Sequence, residues 1–219
     1  MNPKDASDST TLLVHGLWYG RFSLNLLVRR LTRKGLNCRR FGYPTVRQTL
    51  TKNARSLYHY AQSLETPSLH LVGHSLGGLV ILRMLDEFGR DLPPGRVVLL
   101  GSPVHGSAVA QRLTTLAMIR PLSKTLIGRA ASGLEYGFAH APPGRDVGMI
   151  AGSTKLGLGQ LVSHLDQPHD GTVAVSETQL PGATDHIVVQ TSHTGLITSS
   201  RVADQVESFI QHGRFQHAV

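Results

Sequence analysis

Gly73-His74-Ser75-Leu76-Gly77 sets a serine between glycines, the residue type and spacing of a nucleophile held on a tight turn. As a bare G-x-S-x-G pattern it arises by chance about 0.2 times in a chain of this composition, so its setting carries the weight. It directly follows the apolar run SLHLV (Ser68–Val72). It directly precedes a stretch from Leu76 to Phe88 with apolar residues at Leu79, Leu82 and Leu85. A strand, a sharp turn and a helix project the serine hydroxyl out of a sheet edge. Glycines two residues either side let strand and helix approach without Cβ clashes.

A serine hydroxyl is a weak nucleophile at neutral pH and needs a base within hydrogen-bond reach. Of twelve histidines, His193 in QTSHTGL follows the last apolar run and precedes the closing helical stretch. That loop falls at the carboxyl edge of a parallel sheet, where such sites gather. His15 and His74 flank the proposed oxyanion site, His59 lies in a helical stretch, His70 inside a strand, and His212 and His217 in the tail. His105, His164 and His169 remain open as bases but lack the placement of His193. A base needs a carboxylate to orient it. Asp170 in PHDGTVAV lies 23 residues before His193, with Gly171 permitting a turn and TVAV continuing as a short extended run. Asp166 is the nearest rival and Asp185 a distant one. The oxyanion needs two backbone donors. The N–H of Leu76, after the serine, is one. The loop after the first strand, LLVHGLWYG, supplies the other: His15-Gly16 turns the backbone inward and presents the N–H of Leu17. His164-x-Asp166-x-x-His169 has some look of a metal cluster, but no further ligand sits at zinc-site spacing, so neither metal nor cofactor is expected.

Positioning these groups requires an alternating α/β chain. Apolar runs at 11–14, 37–43, 68–72, 96–100, 147–151 and 186–190 read as about six strands. Most are separated by crossovers long enough for helices on both faces of a mostly parallel sheet. Leu24, Leu27, Val28 and Leu31 recur at helical spacing and stop at Gly35. Ala54, Leu57, Tyr58, Ala61 and Leu64 mark another helix. Val202, Val206, Phe209 and Ile210 mark the last, with Ser199 or Ser200 as its cap. The domain organisation expected is a loose polar tail over 1–10 and a single domain over 11–219.

The 219 residues can bury roughly 70% of their unfolded surface as one domain. The lone Cys38 excludes an internal disulfide framework. MNPKDASDST lacks the charged and apolar regions of a signal peptide, and no run approaches a membrane span. A cytoplasmic location, with membrane association as a variant of it, is therefore the expectation. The chain is basic, with 22 Lys and Arg against 14 Asp and Glu and net charge +8. Arg29, Arg30, Arg33, Lys34, Arg39 and Arg40 fall together without an acid. This is either a solvated face or a weak contact for an anionic surface such as phospholipid headgroups. Few aromatics accompany the run, so nucleic acid is not expected as a partner.

VHGLWYG, GHSLGG, DGTV and SHTGL together resemble the bacterial lipase and esterase branch of the α/β-hydrolases, over essentially the whole chain from Thr11. The resemblance implies a triad of Ser75, Asp170 and His193, with Leu17 and Leu76 as oxyanion donors. It also implies cleavage of a small-molecule or lipid carboxylic ester, or the same machinery used as a thioesterase, deacylase or acyltransferase. By the same resemblance the first strand corresponds to the family's third. One segment exceeds what a connection needs: 104–146, apolar at Leu113, Leu116, Met118, Ile119, Leu122, Leu126 and Ile127, is expected to form a small helical cap or lid over the site.

Overall fold

Alternating side chains along the apolar runs divide between two cores, and this division sets the architecture. The computed structural model describes residues 9–106, 137–155 and 166–217. Six strands form one sheet: β1 (Ser9–Val14), β2 (Asn37–Phe41), β3 (Ser68–His74), β4 (Val97–Leu100), β5 (Val147–Gly152) and β6 (Asp185–Val189), in the order β2-β1-β3-β4-β5-β6. Every pairing is parallel, so a sheet read as mostly parallel is wholly so among the described residues. β1 begins at Ser9, two residues before the apolar run, because Ser9 and Thr10 pair with Ser68 and Leu69 of β3 and are buried.

Four α-helices cover the sheet among the described residues: α1 (Asn25–Arg33), α2 (Leu50–Gln62), α3 (Leu76–Phe88) and α4 (Ser200–His212). On one face α2 and α3 bury Leu57, Leu79 and Leu82 against Leu12, Leu71, Leu99 and Met149. On the other, α1 and α4 bury Leu27, Leu31, Val206 and Phe209 against Leu13, Val72, Val98 and Ile150. Full burial of one such side chain contributes about 1.5–3 kcal/mol. α4 is capped by Ser199, whose hydroxyl accepts from the Val202 N–H at 3.4 Å. Among the described residues no helix is long and apolar enough to cross a membrane. The cap read over 104–146 falls mostly on 107–136, outside the described residues.

Strand order reverses at β1. The chain leaves β1 for α1 on one face and leaves β3 for α3 on the other, so the carboxyl ends of these neighbouring strands open a crevice. Val14 and Gly73 are in register there, which brings His15-Gly16-Leu17 level with His74-Ser75-Leu76.

At the opposite edge, His70 is buried in β3 and its Nδ1 accepts the Arg96 N–H at 3.0 Å. Burial, followed by the charges of Arg96 and Arg145, holds His70 down to about 4. The unfolded imidazole takes up its proton below about pH 6.5, while the folded one resists until about 4. Stability is therefore complete above pH 6.5 and declines as pH falls towards 4, by about 1.4 kcal/mol per unit for such a site. His15 and His186, lowered chiefly by burial, act with the same sign. Urea midpoints measured from pH 7 to 4.5 should fall steadily, and His70→Gln should flatten that slope.

Candidate active site

β3 delivers Ser75 to the crevice in a conformation that ordinary chain avoids. Its φ and ψ are 53° and −123°, a strain of about 1–3 kcal/mol that the surroundings must hold in place. The Ser75 N–H stays tied to the sheet through the Leu100 carbonyl at 2.9 Å, while its own carbonyl accepts the Gly78 N–H at 3.0 Å as α3 begins. The glycines are explained by close approach. A Cβ on Gly73 would stand 2.5 Å from the Gly78 Cα, and one on Gly77 would run into the Val14 and His15 carbonyls at the end of β1.

Gly78, not singled out from the sequence, is the third member of this packing. It lies against Gly73 and against Ser102, which leaves no room for a side chain. Its only sequence signal is the doubled glycine of GHSLGG.

The loop after β1 reaches Ser75 directly. A Cβ on Gly16 would stand 3.0 Å from the Ser75 Cβ, so the backbone leading to Leu17 passes over the serine side chain. Leu76 opens α3, where the first amides have no intrahelical acceptor. Neither the Leu17 nor the Leu76 N–H is taken by a protein acceptor among the described residues. His15 does not point its chemistry at the site. Its Nδ1 meets the Gly16 carbonyl at 3.0 Å, its Nε2 accepts the Tyr43 N–H at 3.4 Å, and its ring stacks on Tyr43 at 4.5 Å.

Across the crevice, Asp170 and His193 form a buried pair, His193 Nδ1 to Asp170 Oδ2 at 2.7 Å. The other carboxylate oxygen accepts the N–H groups of Thr172 and Val173 at 2.9 and 2.8 Å. Those two bonds correct the extended run expected for TVAV. The Asp170 side chain, and not a neighbouring strand, satisfies the Thr172 and Val173 amides. Only the single bridge between His169 and Ala174 remains of the extended run, followed by a turn of 3-10 helix at Ser176–Thr178. Since the carboxylate accepts at both oxygens, His193 presents Nδ1–H to it and leaves Nε2 as the basic nitrogen. Gly101, at φ +54°, lies under the pair. A Cβ there would stand 3.0 Å from Asp170 Oδ2 and 3.2 Å from His193 Nδ1.

The His193 backbone is held from both sides. Its N–H donates to the Asp170 carbonyl at 2.9 Å, and its carbonyl accepts from His74 Nε2 at 3.1 Å. The His74 and His193 rings lie 4.7 Å apart between centroids. His74 is itself buried. Burial first, and then the neighbouring His193, keep its pKa well below the usual imidazole value, so it is a neutral donor to the loop. The sequence places His74 only as part of the turn; its grip on His193 becomes visible once β3 and the loop after β6 are packed together. No hydrogen bond joins Ser75 Oγ to His193 among the described residues. In unliganded sites, hydrogen bonds between reacting groups are often long and tighten only when a ligand is seated.

The alternatives read from the sequence are occupied elsewhere. His169 is buried with Nδ1 accepting the Gly171 N–H at 3.0 Å, and His105 is exposed. Asp185 accepts from Phe215 and His186 amides and pairs with His217 at 2.9 Å. Asp166 is exposed, and His164 lies outside the described residues. Among the described residues no three His, Cys, Asp or Glu side chains form a group that could hold a metal.

Tyr19 spans the crevice. Its hydroxyl meets Thr194 Oγ1 at 2.8 Å, and its ring stands edge-on to His74 at 5.4 Å. The bond ties the Leu17 loop to the His193 loop, and neither sequence segment alone signals it. One neutral hydrogen bond is worth about 0.5–1.5 kcal/mol. Tyr19→Phe and Thr194→Val should each lower kcat/KM by about 2–10-fold. The double variant should lose no more than either single one, which a double-mutant cycle on one soluble substrate would read directly.

A parallel sheet with a strained serine turn at its strand-order reversal, and helices on both faces, defines an α/β-hydrolase architecture. The chain belongs to the alpha/beta hydrolase family, whose sequence profile matches residues 11–207. Among solved structures, the mature form of Bacillus licheniformis lipase BlEst2 superposes with a TM-score of 0.77 at 20% identity, covering 96% of this chain and 92% of that one. A metagenomic carboxyl esterase gives 0.69 at 16% identity, over 93% and 74%. RedJ, a thioesterase from the prodiginine biosynthetic pathway of Streptomyces coelicolor, gives 0.61 at 14% identity, over 93% and 86%. At these identities the likeness establishes the fold. No curated protein sequence matches the chain.

Proposed function

We propose that the chain is a serine esterase that cleaves carboxylic esters through an acyl-enzyme on Ser75. The observation that carries this reading is the buried Asp170–His193 pair at the same sheet edge as the strained Ser75 turn. His193 Nε2 takes the Ser75 hydroxyl proton as Oγ attacks the ester carbonyl, and the Leu17 and Leu76 amides receive the oxyanion. His193 then returns the proton to the departing alcohol. Water, deprotonated by His193, attacks the acyl-enzyme and regenerates Ser75 with release of the acid. Asp170 holds the imidazole in the Nδ1–H tautomer and stabilises its charged form. No cofactor takes part in these steps.

The higher TM-scores with a lipase and a carboxyl esterase than with the thioesterase RedJ make oxygen esters the first substrates to test. A thioesterase, deacylase or acyltransferase would use the same residues, because fold and site do not fix the leaving group or the acceptor. Labelling with a fluorophosphonate should modify the wild type and spare Ser75→Ala; an unlabelled wild type would overturn the serine-hydrolase reading. Rates on a p-nitrophenyl series from acetate to palmitate, set against acyl thioesters and against added alcohol, separate the alternatives. Faster turnover of thioesters than of any oxygen ester would replace the esterase assignment.

A further inference from the structure

Beside the crevice, next to the loop that carries Leu17, the surface is both apolar and, among the described residues, without acidic partners for its cations. Phe22 is 63% exposed, and Leu26, one helical turn further on, is 39% exposed. With Trp18, 48% exposed on the Leu17 loop itself, these are three of the four large hydrophobic side chains that stand exposed among the described residues. The guanidinium groups of Arg21 and Arg40 lie over the Phe22 ring at 5.1 and 5.6 Å from its centre. Arg29 and Arg33 continue along α1 from Leu26 at helical spacing and are exposed.

The basic run read from the sequence thus divides in two. Lys34 is spent on Asp204 at 2.7 Å and Glu207 at 3.8 Å, Arg30 donates to the Thr198 carbonyl, and Arg39 turns back to Asn37 and Cys38. Arg21, Arg29, Arg33 and Arg40 have no acidic partner within salt-bridge distance among the described residues. A phenylalanine that solvent can reach, set among unpaired guanidiniums, suits a boundary where hydrocarbon and phosphate meet. At such a boundary the ring enters the acyl region and the cations meet the headgroups.

We propose that the ledge formed by Phe22, Leu26, Arg21, Arg29, Arg33 and Arg40 docks the protein on an anionic lipid surface, with the Ser75 crevice at its rim. The docking goes beyond the esterase reading and does not depend on Ser75 chemistry, so Ser75→Ala protein must bind as the wild type does. The test is co-sedimentation of the full chain with vesicles of phosphatidylcholine alone or with about 30% phosphatidylglycerol, at about 0.1 M and about 0.5 M salt.

Binding is expected only with phosphatidylglycerol present, and should weaken at the higher salt. Each cation near such a surface is worth about fivefold in affinity. Reversing two in Arg21→Glu/Arg40→Glu should therefore cost at least about 20-fold. Phe22→Ala/Leu26→Ala should cost about tenfold. Arg21, Phe22 and Leu26 are exposed and Arg40 is half-buried in the edge strand β2, so hydrolysis of a soluble short-chain ester should stay at the wild-type value. Arg21→Glu alone, which leaves β2 untouched, should keep the wild-type Tm while still losing about fivefold or more in vesicle binding. Absence of binding to the anionic vesicles would overturn the proposal. So would undiminished binding by either variant, or tighter binding to duplex DNA or polyglutamate than to vesicles at equal salt.

Discussion

Ser75→Ala should reduce ester hydrolysis by about 10⁶-fold, His193→Ala by nearly as much, and the double variant by no more than either. The reason lies in the division of labour that the proposed mechanism assigns to these two residues. The hydroxyl is an inert alcohol without a base to take its proton, and the imidazole has nothing to deprotonate without the hydroxyl. Each loss disables the same step. Independent contributions would multiply to a far larger deficit in the double variant, and a kcat series on one soluble ester distinguishes the two outcomes.

Folding should survive these changes. The Ser75 main-chain bonds to Leu100 and Gly78 do not involve the hydroxyl, and the His193 main-chain bonds to Asp170 and His74 do not involve the imidazole of His193. Equal Tm values for Ser75→Ala and the wild type are therefore part of the expectation. A His193→Ala protein that kept most of its rate would move the base to another histidine. Among the described residues the candidate is His169, whose Nδ1 is already committed to Gly171.

Asp170→Asn is expected to lower kcat by about 10⁴-fold while leaving KM within a few-fold of the wild type. An amide offers His193 a donor as readily as an acceptor, so the ring is no longer confined to the tautomer that leaves Nε2 free. The same substitution has a structural cost that Ser75→Ala lacks and that differs from that of His193→Ala, which leaves the buried Asp170 Oδ2 without its imidazole partner. Asp170 Oδ1 accepts two backbone amides, from Thr172 and Val173, in a position that is almost fully buried. The amide side chain of the Asp170→Asn variant can keep those two bonds through its carbonyl oxygen only by turning its NH₂ towards His193. Asp170→Ala leaves both amides without an acceptor, at about 1–3 kcal/mol for each buried donor. Urea denaturation should thus rank wild type above Asp170→Asn and Asp170→Asn above Asp170→Ala, while both variants share the loss of kcat. Similar stability in all three would mean that the loop holding Asp170 relaxes to expose its amides.

Local features of the chain were enough to foresee the serine turn. SLHLV is apolar at every other position or better, so it enters a sheet buried on both faces. GHSLGG follows without a residue to spare, and α3 is apolar from its first turn; these neighbours act over a few residues, where sequence and structure are tightly coupled. The six strands and the helix cap at Ser199 were legible for the same reason. The extended run expected at TVAV was not, because the partner for its amides is the side chain of Asp170, one loop away from any strand.

What the tertiary structure alone decided is how distant segments share donors and acceptors. Asp170 and Asp185 both precede His193 in the chain, but Asp185 is captured by the C-terminal tail through Phe215 and His217, whereas Asp170 meets His193. His74 reads as a turn residue until parallel pairing from β3 through β4 and β5 to β6 brings the loop after β6 across the top of β3 and gives it the His193 carbonyl to hold. Tyr19 and Thr194, 175 residues apart, meet for the same reason. A hydrogen bond needs about 3 Å, and no local pattern encodes which two loops a twisted parallel sheet will carry to that distance.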